Sequence, residues 1–245
     1  MPKEASFSRI CISTGFLYRL TNDRNEMIRG IREFLPLGIE LSFARPQYLF
    51  DFAISQENLE YLRNLKFNSI HAPWKEIVYG DNQKSKDVLG AIEKLFKQIK
   101  ARNVVFHKEQ IDDIRAVVNR SFIASIENGD WRETSGNSPE KIGRILKENP
   151  SLKFTFDFAH ALTVSPDDIL IYLNKFKDRL ISIHLAMLDR ILKDHWFLHK
   201  YDSEETRMLL NHLKETSVPL VLECVASDNN EVQLIKNEIE YLRRV

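Results

Sequence analysis

The sequence is sparing with structure breakers: 8 Gly and 8 Pro in 245 residues exclude collagen-like and Pro/Gly-rich disordered classes. It has 2 Cys, too few for a disulfide scaffold. Cys11 and Cys224 both lie in apolar, strand-like stretches, where a small buried thiol in a reducing compartment is expected rather than a bridge. Net charge is absent, with 35 Lys+Arg against 35 Asp+Glu, so nothing draws nucleic acid or an anionic membrane from a distance. No window approaches the roughly 18 apolar residues of a membrane span. Residues Met1 to Ser6 contain no apolar signal region, and a cytoplasmic location is expected. A glycine-rich first turn is also missing, since only Gly15 follows the first apolar run, which argues against a doubly wound dinucleotide-binding sheet.

What the chain does contain is a repeated alternation. Apolar, β-branched runs occur at Ile10–Ser13, Gly38–Ser42, Asn68–His71, Asn103–His107, Phe122–Glu127, Lys153–Asp157, Leu180–His184 and Pro219–Glu223. Such near-continuous runs suit parallel strands buried on both faces. Between them lie amphipathic stretches with helix-start signals: Ser55 ahead of Asn58, Ser138-Pro139-Glu140, and Ser165-Pro166-Asp167-Asp168, where serine caps and proline takes the first turn. Eight strand–helix units in a length typical of one α/β barrel predict a single (β/α)₈ domain over residues 1–245. The turn-rich stretch from Asn128 to Pro139 reads as a loop after the fifth strand.

In such barrels chemistry gathers at the carboxyl ends of the strands. Six of the eight runs end in His71, His107, Glu127, Asp157, His184 and Glu223, all donors that suit a divalent ion such as Zn²⁺ or Mn²⁺. A histidine closing an apolar strand can equally be a hydrogen-bonded rim residue. The acids are harder to explain that way, because Glu127, Asp157 and Glu223 follow Ile126, Phe156 and Leu222, and a desolvated carboxylate needs a cation or several donors.

With Ser69-Ile70-His71-Ala72-Pro73, His107, Glu127-Asn128, Asp157-Phe158-Ala159-His160, His184 and Glu223 in view, the chain resembles the xylose-isomerase-like barrels. These include sugar isomerases and epimerases and the endonuclease IV group of abasic-site nucleases. The resemblance runs from Ile10 to about Glu223 and implies that Glu127, Asp157, His184 and Glu223 share one metal. The epimerase branch would add Glu133 and Arg190 as substrate contacts. The nuclease branch would add a second ion on His71, His107 and Glu127, and a third on His160 and His195. Lys193 stands where that third site expects an aspartate, Asp194 lies one place off, and His199 is either a substitute ligand or a rim residue.

The function these residues imply is a metal-dependent isomerase or epimerase of a small sugar or sugar phosphate, working through an ene-diolate with Glu127 and Glu223 as base and acid. One Mn, Zn, Mg or Co ion would serve it, and His160 and Arg190 would orient substrate oxygens. Two other classes stay open. One is a zinc phosphodiesterase with two or three ions cutting DNA at abasic sites. The other is a barrel that binds a metabolite or metal without turnover. The stretch Phe43–Phe50 combines Arg45 with three aromatics, which suits a wedge into stacked bases or the cover of a sugar pocket. Arg45, Lys75 and Lys108 are candidate phosphate contacts.

Overall fold

A computed structural model describes residues 9–189, 194–201 and 203–244. Eight parallel strands close into a barrel: β1 (Ile10–Ser13), β2 (Gly38–Ser42), β3 (Phe67–His71), β4 (Asn103–His107), β5 (Ala124–Glu127), β6 (Lys153–Asp157), β7 (Leu180–Leu185) and β10 (Leu220–Leu222). β1 pairs with both β2 and β10, Ile12 lying opposite Ile39 and Leu222, and this last pairing closes the ring. All eight expected runs are therefore strands, with ends moved by up to two residues. Two further strands, β8 (Met187–Asp189) and β9 (Asp194–Trp196), form an antiparallel hairpin beyond β7. No strand or turn signal in the sequence marks it.

The helices form because their apolar positions recur at helical spacing. Gln83–Gln98 buries Val88, Leu89, Ile92 and Leu95 along one stripe, and the Asn82 side chain caps it by accepting from Ser85 N, as the unpaired first-turn donors require. Ser55 and Ser138 cap as expected. Ser165 does not. It ends the helix Phe158–Val164, and the next helix begins only at Asp168, with no side-chain cap at Asp167. The fourth crossover shrinks to one helical turn, Arg115–Val118.

The core lies in two layers. Outside the strands, Phe154 packs on Tyr172 and Phe176 with ring centroids 5.8 and 5.3 Å apart; burying each such ring contributes about 2–3 kcal/mol. Inside the barrel the layer below the strand ends is polar. Asn103 Nδ2 donates to Ser125 Oγ, which lies 2.9 Å from Thr155 Oγ1, itself 3.0 Å from Ser182 Oγ. The side-chain period of two along a strand then puts Glu127, Asp157 and His184 on the same inward face, one layer up. Cys11 and Cys224 are both free and buried.

Gly38 is needed for barrel closure on one side. A Cβ there would stand 1.4 Å from the Phe67 carbonyl oxygen, so β2 and β3 could not keep their register. Gly38→Ala is expected to cost about 3 kcal/mol, read as a lower denaturant midpoint. A midpoint within experimental error of the parent would show that the strands separate freely there.

Among the described residues no helix is long and apolar enough to cross a membrane.

Candidate metal centre

His184, at the end of β7, is the centre of the site. It is fully buried, and its Nδ1 lies 3.1 Å from Glu223 Oε2, 3.2 Å from Glu127 Oε2 and 3.9 Å from Asp157 Oδ2. The four residues that sequence reasoning grouped on one ion thus meet at one imidazole nitrogen. Each is delivered by its own strand end, and Asp157 is held twice over. Its Oδ1 caps the helix Phe158–Val164 by accepting from His160 N at 2.6 Å, which leaves Oδ2 facing inward. Asn128 clamps β5 to β6, donating to the Asp157 carbonyl and accepting from the Asp157 amide, both at 2.8 Å.

His71 and His107 converge on the other side of Glu127, with Nε2 atoms 3.6 Å from Oε2 and 2.9 Å from Oε1. His195, on β9, comes within 3.9 Å of Glu223 Oε2 and stacks edgewise on His160 at 5.6 Å. Asp157, His160 and His195 place ligand atoms within 4.8 Å of one another, as do His71, Glu127 and His184. His199 goes elsewhere. Its Nδ1 is 2.6 Å from Glu238 Oε2, on the final helix. Arg190 and Lys193 lie outside the described residues.

Three of the histidines are oriented from behind. His71 Nδ1 faces the Ala72 carbonyl at 3.2 Å, His160 Nδ1 the Asn128 carbonyl at 3.0 Å, and His107 Nδ1 faces Glu133 Oε1 at 3.0 Å. A carbonyl can only accept, so Nδ1 of His71 and His160 carries the proton, and a singly protonated ring then has an Nε2 lone pair to offer. Glu133, which the resemblance assigned to substrate, here holds His107.

The buried acids need positive charge beside them. Glu40, Glu127 and Asp157 are all buried, and several kcal/mol per ion is the order of the cost of burying uncompensated carboxylates. Burial disfavours a charged imidazole at His107, yet Glu127 and Glu133 beside it prevail and lift it to about 10. At His184 burial is likewise outweighed by Glu223 and Glu40, which hold it well above its ordinary value. Burial would raise Glu127, but His107 and His71 hold it well below the usual carboxylate range.

Both oxygens of Glu127 and both nitrogens of His184 are nevertheless buried without a hydrogen bond. The nearest approaches to these atoms, 2.9 Å from His107 Nε2 to Glu127 Oε1 and 3.1 to 3.4 Å at His184, are close but not aligned as hydrogen bonds. Lone pairs aimed at a shared point rather than at one another fit a divalent ion, and the mixed imidazole and carboxylate set fits Zn²⁺ or Mn²⁺.

Two site residues escaped the sequence analysis. Glu40, in the middle of β2, sits under His184 with Oε2 3.4 Å from Nε2; a lone acid between Ile39 and Leu41 was its signal. Trp74 packs against His71 and His107, ring centroids 4.9 and 5.6 Å away, and follows β3 by three residues. The aromatics of Phe43–Phe50 turn out to be mostly committed. Phe43 is buried, and the Arg24 guanidinium stands over Phe43 and Tyr48 at 5.4 and 4.7 Å. Phe50 is the exposed member. Of the candidate phosphate contacts, Arg45 lies 3.4 Å from Glu76 and Lys108 donates to the Ile111 carbonyl.

The fold is that of a closed (β/α)₈ barrel, shared at 15% and 11% identity with two solved structures described as xylose isomerase domain proteins, with TM-scores 0.55 and 0.59. The probable 3-DHS dehydratase AsbF from Bacillus anthracis superposes with TM-score 0.70 at 13% identity, covering 96% of this chain and 98% of its own. Endonuclease IV from Thermus thermophilus gives 0.66 at 14%, covering 95% and 99%. A D-tagatose 3-epimerase-like protein gives 0.65 at 16%, covering 96% and 98%. No protein-family model and no curated protein matches the sequence. Identities this low establish a shared barrel and leave the activity to be argued from the site.

Proposed function

We propose that this chain is a divalent-metal-dependent isomerase or epimerase of a small polyhydroxy carbonyl compound, free or phosphorylated. The observation that carries the reading is the pair Glu127 and Glu223, which come from strands on different sides of the barrel and flank the same His184 nitrogen at 3.2 and 3.1 Å. Glu127, Asp157, His184 and Glu223 would hold the ion, with Mn²⁺, Zn²⁺, Mg²⁺ and Co²⁺ as the candidates. When bound, it supplies Lewis-acid polarisation of a substrate carbonyl. The chain's own carboxylates move the proton. One glutamate takes the hydrogen next to the carbonyl, and the other returns a proton from the opposite side, as epimerisation through an ene-diolate requires. Trp74 and the histidine rings narrow the space around the carboxylates and exclude water from them. His160 and Arg190 are assigned to orienting substrate oxygens. The D-tagatose 3-epimerase-like neighbour supports this reading.

A test is solvent exchange. A panel of ketoses and ketose phosphates incubated in deuterated water with each of the four ions should include one that loses its α-proton NMR signal. No exchange with any of them contradicts the proposal.

The second reading is a zinc phosphodiesterase acting at abasic sites, favoured by His71 and His107 on Glu127 and by the grouping of Asp157, His160 and His195. Against it stand the balanced charge of 35 to 35 and the loss of Phe43 and Tyr48 as wedges, since a bent duplex needs phosphate contacts and intercalating side chains. Incision of a duplex bearing one abasic site, at low salt with added zinc, is expected to be negligible. Turnover that vanishes in Glu127→Gln and His107→Ala would reverse the ranking.

A further inference from the structure

We infer that Glu40 is the positioning residue for His184, fixing which ring nitrogen is presented to a metal; this rests on the metal-binding reading above. His71, His107 and His160 are each held on Nδ1 by an oxygen behind them, from Ala72, Glu133 and Asn128, which turns Nε2 toward the site. His184 is reversed. Its Nδ1 faces Glu127, Asp157 and Glu223, so its outer nitrogen is Nε2. The carboxylate oxygen facing that nitrogen is Glu40 Oε2, 3.4 Å away.

Glu40 is built for this place. It is fully buried in β2 between Ile39 and Leu41, level with Ser69 on β3. Ser69 donates its hydroxyl to the same Oε2 at 2.8 Å. Its other oxygen, Oε1, is buried without a partner. A fully buried carboxylate with one hydroxyl donor is an expensive feature to keep for packing alone. Its negative charge beside Nε2 favours a proton on that nitrogen, though no hydrogen bond is formed at 3.4 Å, and so favours the tautomer whose Nδ1 lone pair points to the shared centre; carboxylates behind metal-bound histidines set ring orientation and ligand basicity.

The experiment uses the full chain with histidine-selective ¹⁵N labelling and zinc. In the parent protein, long-range ¹H–¹⁵N correlations should place zinc on Nδ1 of His184 and a proton on Nε2. Glu40→Gln should raise the zinc dissociation constant about 10- to 100-fold while leaving the melting temperature of the metal-free chain unchanged or higher. Ser69→Ala, which leaves the carboxylate but removes its donor, should weaken zinc binding in the same direction and less, and serves if Glu40→Gln fails to fold. Zinc on Nε2, or unchanged affinity in both variants, overturns the inference. A parent chain that binds no zinc or other divalent ion removes the metal reading itself, a different failure.

Discussion

Asp157→Ala is expected to weaken divalent-ion binding at least about 100-fold, because on the proposed reading Asp157, with Oδ2 3.9 Å from His184 Nδ1, is a ligand rather than a supporting contact. The loss should be visible in stability. An ion held at 1,000 times its dissociation constant adds about 4 kcal/mol, roughly 10 °C in melting temperature for a chain of this size, and the variant should lose most of that gain. Alanine also removes the cap on the helix Phe158–Val164, where Oδ1 accepts from His160 N; a lost cap costs about 1 kcal/mol with or without metal. Asp157→Asn separates the two effects, since its carboxamide can still cap while offering a poorer ligand. Equal ion-induced stabilisation in parent and both variants would show that Asp157 is not a ligand.

Glu127→Gln and Glu223→Gln are expected each to lower α-proton exchange by about 100-fold or more, the usual contribution of a positioned general base. Glutamine keeps the size and an oxygen that can face the ion, but it cannot take a proton. If the two carboxylates serve opposite sides of the substrate, Glu127→Gln should impair exchange from one epimer and Glu223→Gln from the other. That reciprocity separates proton transfer from simple loss of the ion, which would impair both epimers alike. Exchange at the parent rate in both variants, with metal content intact, removes them from the chemistry.

The barrel was legible because most strands are short apolar runs closed by a polar residue: His71, His107, Glu127 and Asp157 are the last residues of their strands, and His184 the last but one of β7. Glu40 was not legible from strand ends, because it lies two residues before the end of β2, and only the closed barrel brings it under His184. The β8–β9 hairpin was hidden for another reason. Its sequence from Met187 to Trp196 carries charged residues and no Asn-Gly or Asp-Gly turn, the usual short-range hairpin signal. Ser165 carries a helix-start signal that the fold does not use, because Asp157-Phe158-Ala159-His160 is a helix start as well as a ligand motif. The same spacing lets Asp157 cap a helix at once, and Ser165 becomes its end instead of the next helix's beginning. Trp74 needed three dimensions, since nothing in Ala72-Pro73-Trp74 says which way the ring turns.

Whether the strand ends of this barrel hold a metal ion is decided by counting ions per chain. The chain is reconstituted with Mn²⁺ or Zn²⁺, freed of excess by gel filtration and measured by elemental mass spectrometry. One tightly bound ion per chain is expected, removed by chelation with a fall in melting temperature. A chain that retains no ion, and melts at the same temperature with chelator as with metal, would contradict it.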